Sequence, residues 1–124
     1  MKHITITEPA ILVRIAKLYS PRMSAQALYE ATRGVWRIGQ RRESVHFAIA
    51  VAEGIVREVF MVGAWYAAGT TTYHTRSPSA VQIPGRWEFV GKLASDNLRS
   101  RYVGQSVAHY FRKGGANPIT YVNV

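Results

Sequence analysis

The pattern that most constrains the fold is a pair of β-rich segments joined by the residues Glu53-Gly54. Larger apolar residues alternate with small ones in the first segment, at Phe47, Ile49 and Val51. The second segment, 55–62, has the same β-rich composition. Alternation with period two is typical of a half-buried strand, and a short turn with glycine is typical of a hairpin. The sequence therefore predicts a β-hairpin that turns at or next to Gly54.

A turn of two residues sets the pairing across this hairpin, because it places Ala52 opposite Ile55. The apolar pairs that follow are Val51 with Val56 and Phe47 with Phe60. We expect the apolar face of the hairpin to be largely buried: Phe47, Ile49, Val51, Val56 and Phe60.

The same register puts Glu58 beside Ile49 on the apolar face. A carboxylate in that position is costly unless it is paired, so we expect an arginine such as Arg37 or Arg14 to contact it. A longer turn would instead send Glu58 to solvent, and the sequence leaves both registers open.

Short strands and short helices alternate along the rest of the chain. Ser24 and Ser95 stand where a side chain caps a helix, and Gly34 stands where the first helix would end. Helical spacing also follows Ser106. Further strands are predicted at 11–19, 35–38, 86–91 and 119–124. The segment 67–85 has turn residues without a period, and a loop of this length is often functional.

These elements predict an α+β fold with a small curved or closed mixed β-barrel of five to six strands and two or three short helices. Helices this short are unsuited to the crossovers of a doubly wound parallel sheet. The length of 124 residues is that of a single domain, 1–124. No segment has the apolar length of a signal peptide or a membrane span, so a cytoplasmic protein without membrane contact is expected.

Positive charge is the most informative bulk property. The chain has 16 Lys+Arg and 7 Asp+Glu, a formal net charge of +9, and twelve of the cations are arginine. The planar guanidinium fork matches phosphate oxygens and base edges, so an anionic partner is expected, most commonly nucleic acid. The alternative explanation is that positive charge simply keeps a small protein soluble.

Several kinds of chemistry are excluded by the residues present. There is no cysteine, which excludes disulfides, thiol nucleophiles and cysteine-ligated zinc. The single aspartate and six scattered glutamates do not provide the converging carboxylates of a two-metal site. The motifs HExxH, GxSxG and the phosphate-binding loop do not occur, and the four histidines are far apart. We expect no metal ion and no cofactor.

Aromatic residues beside cations favour nucleic acid more directly. Rings that stack on bases and cations that hold phosphates act together in single-strand binding. Three of the four aromatic clusters set a cation directly beside a ring, and the four are Trp36-Arg37, Trp65-Tyr66, Arg86-Trp87 and Tyr110-Phe111-Arg112. A strand tryptophan is more often core than ligand, so Trp36 and Trp87 are predicted in the core. Trp65 and Tyr66, at the start of the long loop, are the better ligand candidates.

Three stretches carry a resemblance to a known superfamily: GVWRIGQRRESVHFAIAVAEGIVREVFMVGAW, RWEFVGKLA and YVGQSVAHYFRKGGANPITYVN. Their order of strand, short helix, strand, long hairpin, loop, strand, helix and final strand is similar to the PUA-like superfamily, which includes the ASCH, EVE and SRA-type domains. The resemblance covers most of the chain at the level of organisation. It implies a small β-barrel that binds RNA or modified bases, with aromatic residues near the barrel mouth stacking on a base. Some ASCH domains are enzymes, but the chain has no convincing ASCH catalytic set.

The leading hypothesis is a nucleic-acid-binding module, for RNA or DNA, that can receive a flipped or modified base. The residues expected to hold the backbone are Arg41, Arg42, Arg76, Arg99, Arg101, Arg112 and Lys113. Those expected near the base are Trp65, Tyr66, Tyr73, His74 and Asn117.

Two alternatives come from other classes of protein. One is a small hydrolase or nuclease acting on RNA or a nucleoside, with His74 and a lone carboxylate as its reactive groups. The other is a non-enzymatic subunit whose basic face docks an acidic protein. The sequence does not determine the oligomeric state.

Overall fold

A computed structural model describes residues 2–124, whose strands form one mixed six-stranded sheet curved into a half-barrel. The strands are β1 (Ala10–Arg14), β2 (Gly34–Trp36), β3 (Phe47–Ala52), β4 (Ile55–Ala67), β5 (Trp87–Leu93) and β6 (Ile119–Val122). Their order across the sheet is β2-β5-β4-β3-β1-β6. β1 and β3 are parallel, and the other pairs are antiparallel. The predicted small, curved α+β fold is confirmed, and β2 and β6 are its two edges.

Three short helices accompany the sheet: α1 (Ala25–Arg33), α2 (Pro78–Val81) and α3 (Asp96–Tyr102). The predicted caps are confirmed, because Ser24 accepts from the Ala27 amide at 3.0 Å and Ser95 accepts from the Leu98 amide at 3.2 Å. The helical spacing after Ser106 yields only a 3-10 helix at Ala108–Tyr110, and another spans Gln40–Ser44. Within residues 2–124, no helix is long and apolar enough to cross a membrane.

The sheet has a separate apolar core on each face. Alternate residues of β3 point to opposite faces, as the strand geometry requires. Ile49 packs in a cluster with Leu98 and Tyr102 of α3. Ala48 packs on the other face with Ala31 of α1. The sheet is therefore covered by α1 on one face and by α3 on the other.

The hairpin between β3 and β4 turns where the sequence predicts. Glu53 and Gly54 have φ of 56° and 74°, the left-handed values that a two-residue hairpin turn needs. Ala52 pairs with Ile55, so the register next to the turn is confirmed. The pair Val51 with Val56 is confirmed as well.

A β-bulge then shifts the register, because Arg57 is an extra residue between the pairs Val51–Val56 and Ala50–Glu58. The predicted pair Phe47–Phe60 is wrong, since Phe47 faces Met61. Phe47 is only half buried, whereas the other four residues predicted to be buried are no more than 2% exposed.

The bulge also decides where Glu58 lies. Glu58 pairs with Ala50 instead of lying beside Ile49. Its carboxylate contacts the guanidinium of Arg99, with Nε–Oε1 at 2.8 Å and Nη2–Oε2 at 3.0 Å. The predicted partners Arg37 and Arg14 are therefore wrong.

The two-sided core makes a quantitative prediction for β3. Ile49 is 1% exposed, so Ile49→Ala is expected to lower the free energy of unfolding by about 2 to 5 kcal/mol. Met61→Ala, at a position 39% exposed, is the control and should change it by about 0.5 kcal/mol or less. Urea unfolding followed by circular dichroism measures both, and equal losses would contradict this assignment of the core.

Candidate functional site

A cavity of about 680 Å³ lies between the two edges of the half-barrel. One side is formed by all of β2 and by Arg37 after it. The other side is formed by segment 14–18, which begins with the last residue of β1, and by segment 116–119, which ends with the first residue of β6. Arg76 of the long loop and Arg86 before β5 complete the lining. The cavity therefore exists because the sheet does not close into a full barrel.

Positive charge dominates this cavity. Its lining includes five cationic side chains: Arg14, Lys17, Arg37, Arg76 and Arg86. Among residues 2–124, no Asp or Glu side chain lines it. No salt bridge within the described part of the chain involves any of the five cations. The cavity can therefore hold an anion without displacing a protein carboxylate.

The five cations lie at two depths. Arg14, Arg76 and Arg86, the inner arginines, are half buried, whereas the rim cations, Lys17 and Arg37, are exposed. An ion held by the inner arginines would be partly shielded from water. Electrostatic attraction is stronger in such a shielded position than at an exposed surface.

Backbone carbonyls fix two of the inner arginines. Arg14 Nη2 donates to the carbonyl oxygens of Gly115 at 2.8 Å and Asn117 at 2.6 Å, and its guanidinium lies 4.9 Å from the ring centre of Phe111. Arg76 Nη1 donates to the carbonyl oxygens of residues 30 and 34, at 3.1 and 2.6 Å. In each guanidinium the other nitrogens have no partner among residues 2–124, so donors remain for a ligand.

Strand pairing brings two more arginines together. Trp36 of β2 pairs with Trp87 of β5, and the strands are antiparallel. Arg37 and Arg86 are the residues next to this last pair, and both line the cavity. Like charges on neighbouring strands destabilise a sheet unless an anion lies between them.

Glu88 of β5 holds the first part of the long loop against the sheet. This carboxylate is fully buried and accepts from the amides of Gly69 at 2.7 Å and Thr71 at 2.9 Å, and from the Tyr73 hydroxyl at 2.9 Å. Burial acts to raise its pKa, but the bonds from Thr71, Gly69 and Tyr73 outweigh burial and hold the pKa below the ordinary value. The Arg33 guanidinium lies 3.9 Å away and supplies a buried counter-charge.

Glu30 of α1 holds the second part of the loop. It is also fully buried, and it accepts from the amides of His74 at 2.9 Å and Thr75 at 2.7 Å. Gln26 Nε2 donates at 2.6 Å and the Thr75 hydroxyl at 2.8 Å. Burial acts to raise the pKa of Glu30, but these donors outweigh it and lower the pKa to about 2. The two carboxylates thus fix the loop that carries Arg76 into the cavity.

Trp36 contributes the aromatic part of the cavity. Its indole Nε1 donates to the Thr32 carbonyl oxygen at 2.8 Å, which fixes the ring. The side chain is half buried, packs against the core cluster beneath α1, and also lines the cavity. Trp36, which the sequence predicts in the core, can therefore also contact a ligand in the cavity.

Most of the cations predicted from the sequence to hold a backbone lie outside the cavity. Arg99 pairs with Glu58, and Arg101 Nη1 lies 3.0 Å from Glu8. Arg41 and Arg42 lie over Tyr121 and Trp87, at 4.5 and 3.5 Å from the ring centres. Arg112 and Lys113 are exposed. Of this predicted set, only Arg76 lines the cavity.

The residues predicted near the base are also dispersed. Trp65 packs edge-on against Phe89, with ring centres 5.3 Å apart, while Tyr66 is 43% exposed. Asn117 lines the cavity. The Tyr73 ring is covered by the Arg33 guanidinium at 3.7 Å. Burial raises the pKa of the Tyr73 phenol, so it acts as a hydrogen-bond donor.

His74 does not form a catalytic pair with a carboxylate. Its backbone amide, not its imidazole, contacts Glu30, and its side chain is exposed. A carboxylate with a pKa of about 2 is also a weak base near neutral pH. No group of three His, Asp or Glu side chains suited to a metal ion occurs within residues 2–124.

Four cavity cations were not among the predicted ligand residues: Arg14, Lys17, Arg37 and Arg86. Part of the signal was present in the adjacent pairs Trp36-Arg37 and Arg86-Trp87, which become neighbours once β2 pairs with β5. Arg14 and Lys17 gave no signal, because their position depends on which strands form the sheet edges.

Comparison with known proteins identified no matching family model, curated protein or solved structure. The resemblance to the PUA-like superfamily therefore stays a prediction.

The bonds to Glu30 predict how stability depends on pH. A carboxylate whose folded pKa of about 2 lies below the ordinary 4.5 stabilises fully above pH 4.5, and that contribution is lost as pH falls towards 2. Glu30→Gln should lower the free energy of unfolding near neutral pH by ~3 kcal/mol and flatten its acid dependence. Urea unfolding at a series of pH values tests this. The control Glu53→Gln alters a carboxylate that is 79% exposed, and an unchanged acid dependence in Glu30→Gln would refute the assignment.

The packing of Trp65 predicts a structural role rather than stacking on a base. Trp65→Ala removes the packing against Phe89 and should lower the free energy of unfolding by about 3 kcal/mol. Affinity for single-stranded nucleic acid, measured at a temperature where the variant is folded, should stay within about twofold, since a stacking ring would contribute about 1 to 3 kcal/mol. A large drop in affinity in a stable variant would instead establish the stacking role.

Proposed function

We propose that the protein is a nucleic-acid-binding module that holds an RNA or DNA strand at the cationic cavity between its sheet edges. The observation that carries this proposal is the lining itself, with five cations and, in the described residues, no carboxylate. Phosphate groups are the anions that guanidinium forks match best.

The inner arginines favour phosphate over a diffuse acidic surface. Arg14 and Arg76 are fixed by backbone carbonyls before any ligand arrives. Less side-chain entropy is then lost on binding, so a compact anion with several oxygens gains more from these two forks than from mobile surface lysines. A segment of acidic protein would gain less binding free energy from these half-buried arginines, because its carboxylates are spread along a chain.

The ring of Trp36 extends the proposal from phosphate to base. A base can stack on a ring whatever its identity, and the neighbouring phosphates can then contact the cations. In this proposal one base, from a single strand or flipped from a duplex, lies beside Trp36, and Asn117 offers an amide for its edge. The volume of about 680 Å³ is within the range of small-ligand sites.

Salt dependence tests the proposal. If the cavity cations neutralise phosphates, the affinity for a single-stranded oligonucleotide should fall steeply with salt. Arg37→Ala combined with Arg86→Ala should reduce the slope of log affinity against log salt by about one unit for each phosphate that the variant no longer neutralises. Fluorescence anisotropy at several salt concentrations gives the slope.

Two controls make the outcome specific. Arg22→Ala removes an exposed cation outside the cavity lining and should leave the slope unchanged. Arg41→Ala with Arg42→Ala removes two cations that the sequence predicts to contact the nucleic-acid backbone. If the Arg41 and Arg42 variant changes the slope and the Arg37 and Arg86 variant does not, the nucleic-acid interface lies outside the cavity. Absence of binding to any polynucleotide would refute the function.

A further inference from the structure

We infer that the inner arginines recognise a terminal phosphate, a phosphomonoester at the end of a strand or on a free nucleotide, in preference to a phosphodiester within a strand. This inference rests on the proposed function and deepens it by naming the ligand group. The shared chemistry is a phosphate bonded to carbon through one oxygen only, with three free oxygens.

The number of available donors supports a phosphomonoester. The guanidiniums of Arg14 and Arg76 each keep two nitrogens without a partner in residues 2–124, and the Arg86 guanidinium has no hydrogen-bond partner there. A bidentate fork uses two acceptor oxygens. A phosphodiester offers only two non-bridging oxygens, whereas a phosphomonoester offers three, so the monoester can satisfy more of these forks.

The balance of charge gives the same result. A phosphodiester carries one negative charge, and a phosphomonoester carries about −1.5 to −2 near pH 7. The inner arginines are half buried, and among residues 2–124 no Asp or Glu side chain lines the cavity with them. Burial lowers the pKa of Arg76, although the nearby Glu30 and Glu88 carboxylates act to raise it. A dianion neutralises more of the positive charge that lines the cavity than a monoanion does.

The depth of the cavity determines which part of a strand can enter. Its interior is formed by Ile15 and Val35, which are 2% and 7% exposed, and by Gly34, which is also buried. The rim cations Lys17 and Arg37 are at the exposed surface. A strand end can place its phosphate at the inner arginines while the next phosphates remain at the rim. An internal phosphate could enter only if the nucleotides on both of its sides entered the interior of the cavity with it.

The experiment compares oligonucleotides that differ only at their ends. One short single-stranded sequence is prepared with a 5′-phosphate, with a 3′-phosphate, or with hydroxyl groups at both ends, and a nucleoside 5′-monophosphate is measured alongside. One of the phosphorylated forms should bind about tenfold or more tightly than the hydroxyl form, the change expected for one added charge-assisted hydrogen bond. The two phosphorylated forms identify which end is read.

Arg86 provides the variant that tests the mechanism. Its side chain makes no hydrogen bond or salt bridge within residues 2–124, so Arg86→Ala should fold normally. We expect this variant to lose most of the preference for the phosphorylated end, whereas Arg22→Ala should keep it. If Arg86→Ala weakens the phosphorylated and hydroxyl forms equally, the phosphomonoester assignment is overturned.

The pH dependence of the preference provides an independent check. The second pKa of a phosphomonoester is about 6, so the preference should shrink as pH falls from about 7.5 to 5. Among residues 2–124, no His, Asp or Glu side chain lines the cavity, so the phosphate is the group expected to change its charge in that interval. A preference independent of pH would overturn the inference.

The outcomes separate this inference from the proposed function. Equal affinity for phosphorylated and hydroxyl oligonucleotides overturns the terminal-phosphate inference and leaves nucleic-acid binding intact. Binding of the nucleoside monophosphate without binding of any oligonucleotide supports the phosphomonoester assignment and overturns the polymer as ligand. Binding of none of these probes overturns both.

Discussion

Two buried carboxylates hold the long loop to the sheet, and the cationic cavity depends on them. Glu30 and Glu88 are fully buried, a position that disfavours charge unless donors surround it. The donors come mainly from the loop between Gly69 and Thr75, so the loop stabilises the carboxylates as much as they stabilise the loop. Arg76 follows directly and donates to the Glu30 carbonyl oxygen. A loose loop would leave the cavity without one of its fixed guanidiniums.

Some cations of the protein form salt bridges with carboxylates, and others do not. Arg99 and Arg101 meet carboxylates at Glu58 and Glu8. With 16 cations and 7 acidic residues, some positive charge must remain unpaired, but composition does not say where. In the fold, five of the cations without a salt bridge in residues 2–124 line one cavity. Concentrated like charge opposes folding, so a ligand that neutralises it should stabilise the protein as well as bind.

Local signals in the sequence predicted much of the fold. The hairpin turn followed from Glu53-Gly54, and the helix starts followed from Ser24 and Ser95. The extra residue Arg57 was not predictable, because a bulge shifts the pairing without changing residue types. The cavity was missed for a different reason. Its cations come from four separated segments, and only the order of strands in the sheet brings them together. Sequence patterns report near neighbours, whereas this site is made by distant ones.

The positive charge near the two sheet edges could serve to protect those edges instead of binding a ligand, but the positions of the inner arginines do not fit that explanation. Natural proteins place charged residues on edge strands to prevent pairing with other chains. Exposed side chains are sufficient for that purpose, and Lys17 and Arg37 fit it. Arg14 and Arg76 do not, because they are half buried and anchored to carbonyl oxygens inside the gap. Protection of an edge needs neither burial nor fixed orientation. Binding of a compact anion benefits from both, so the inner arginines distinguish a ligand site from a guarded edge.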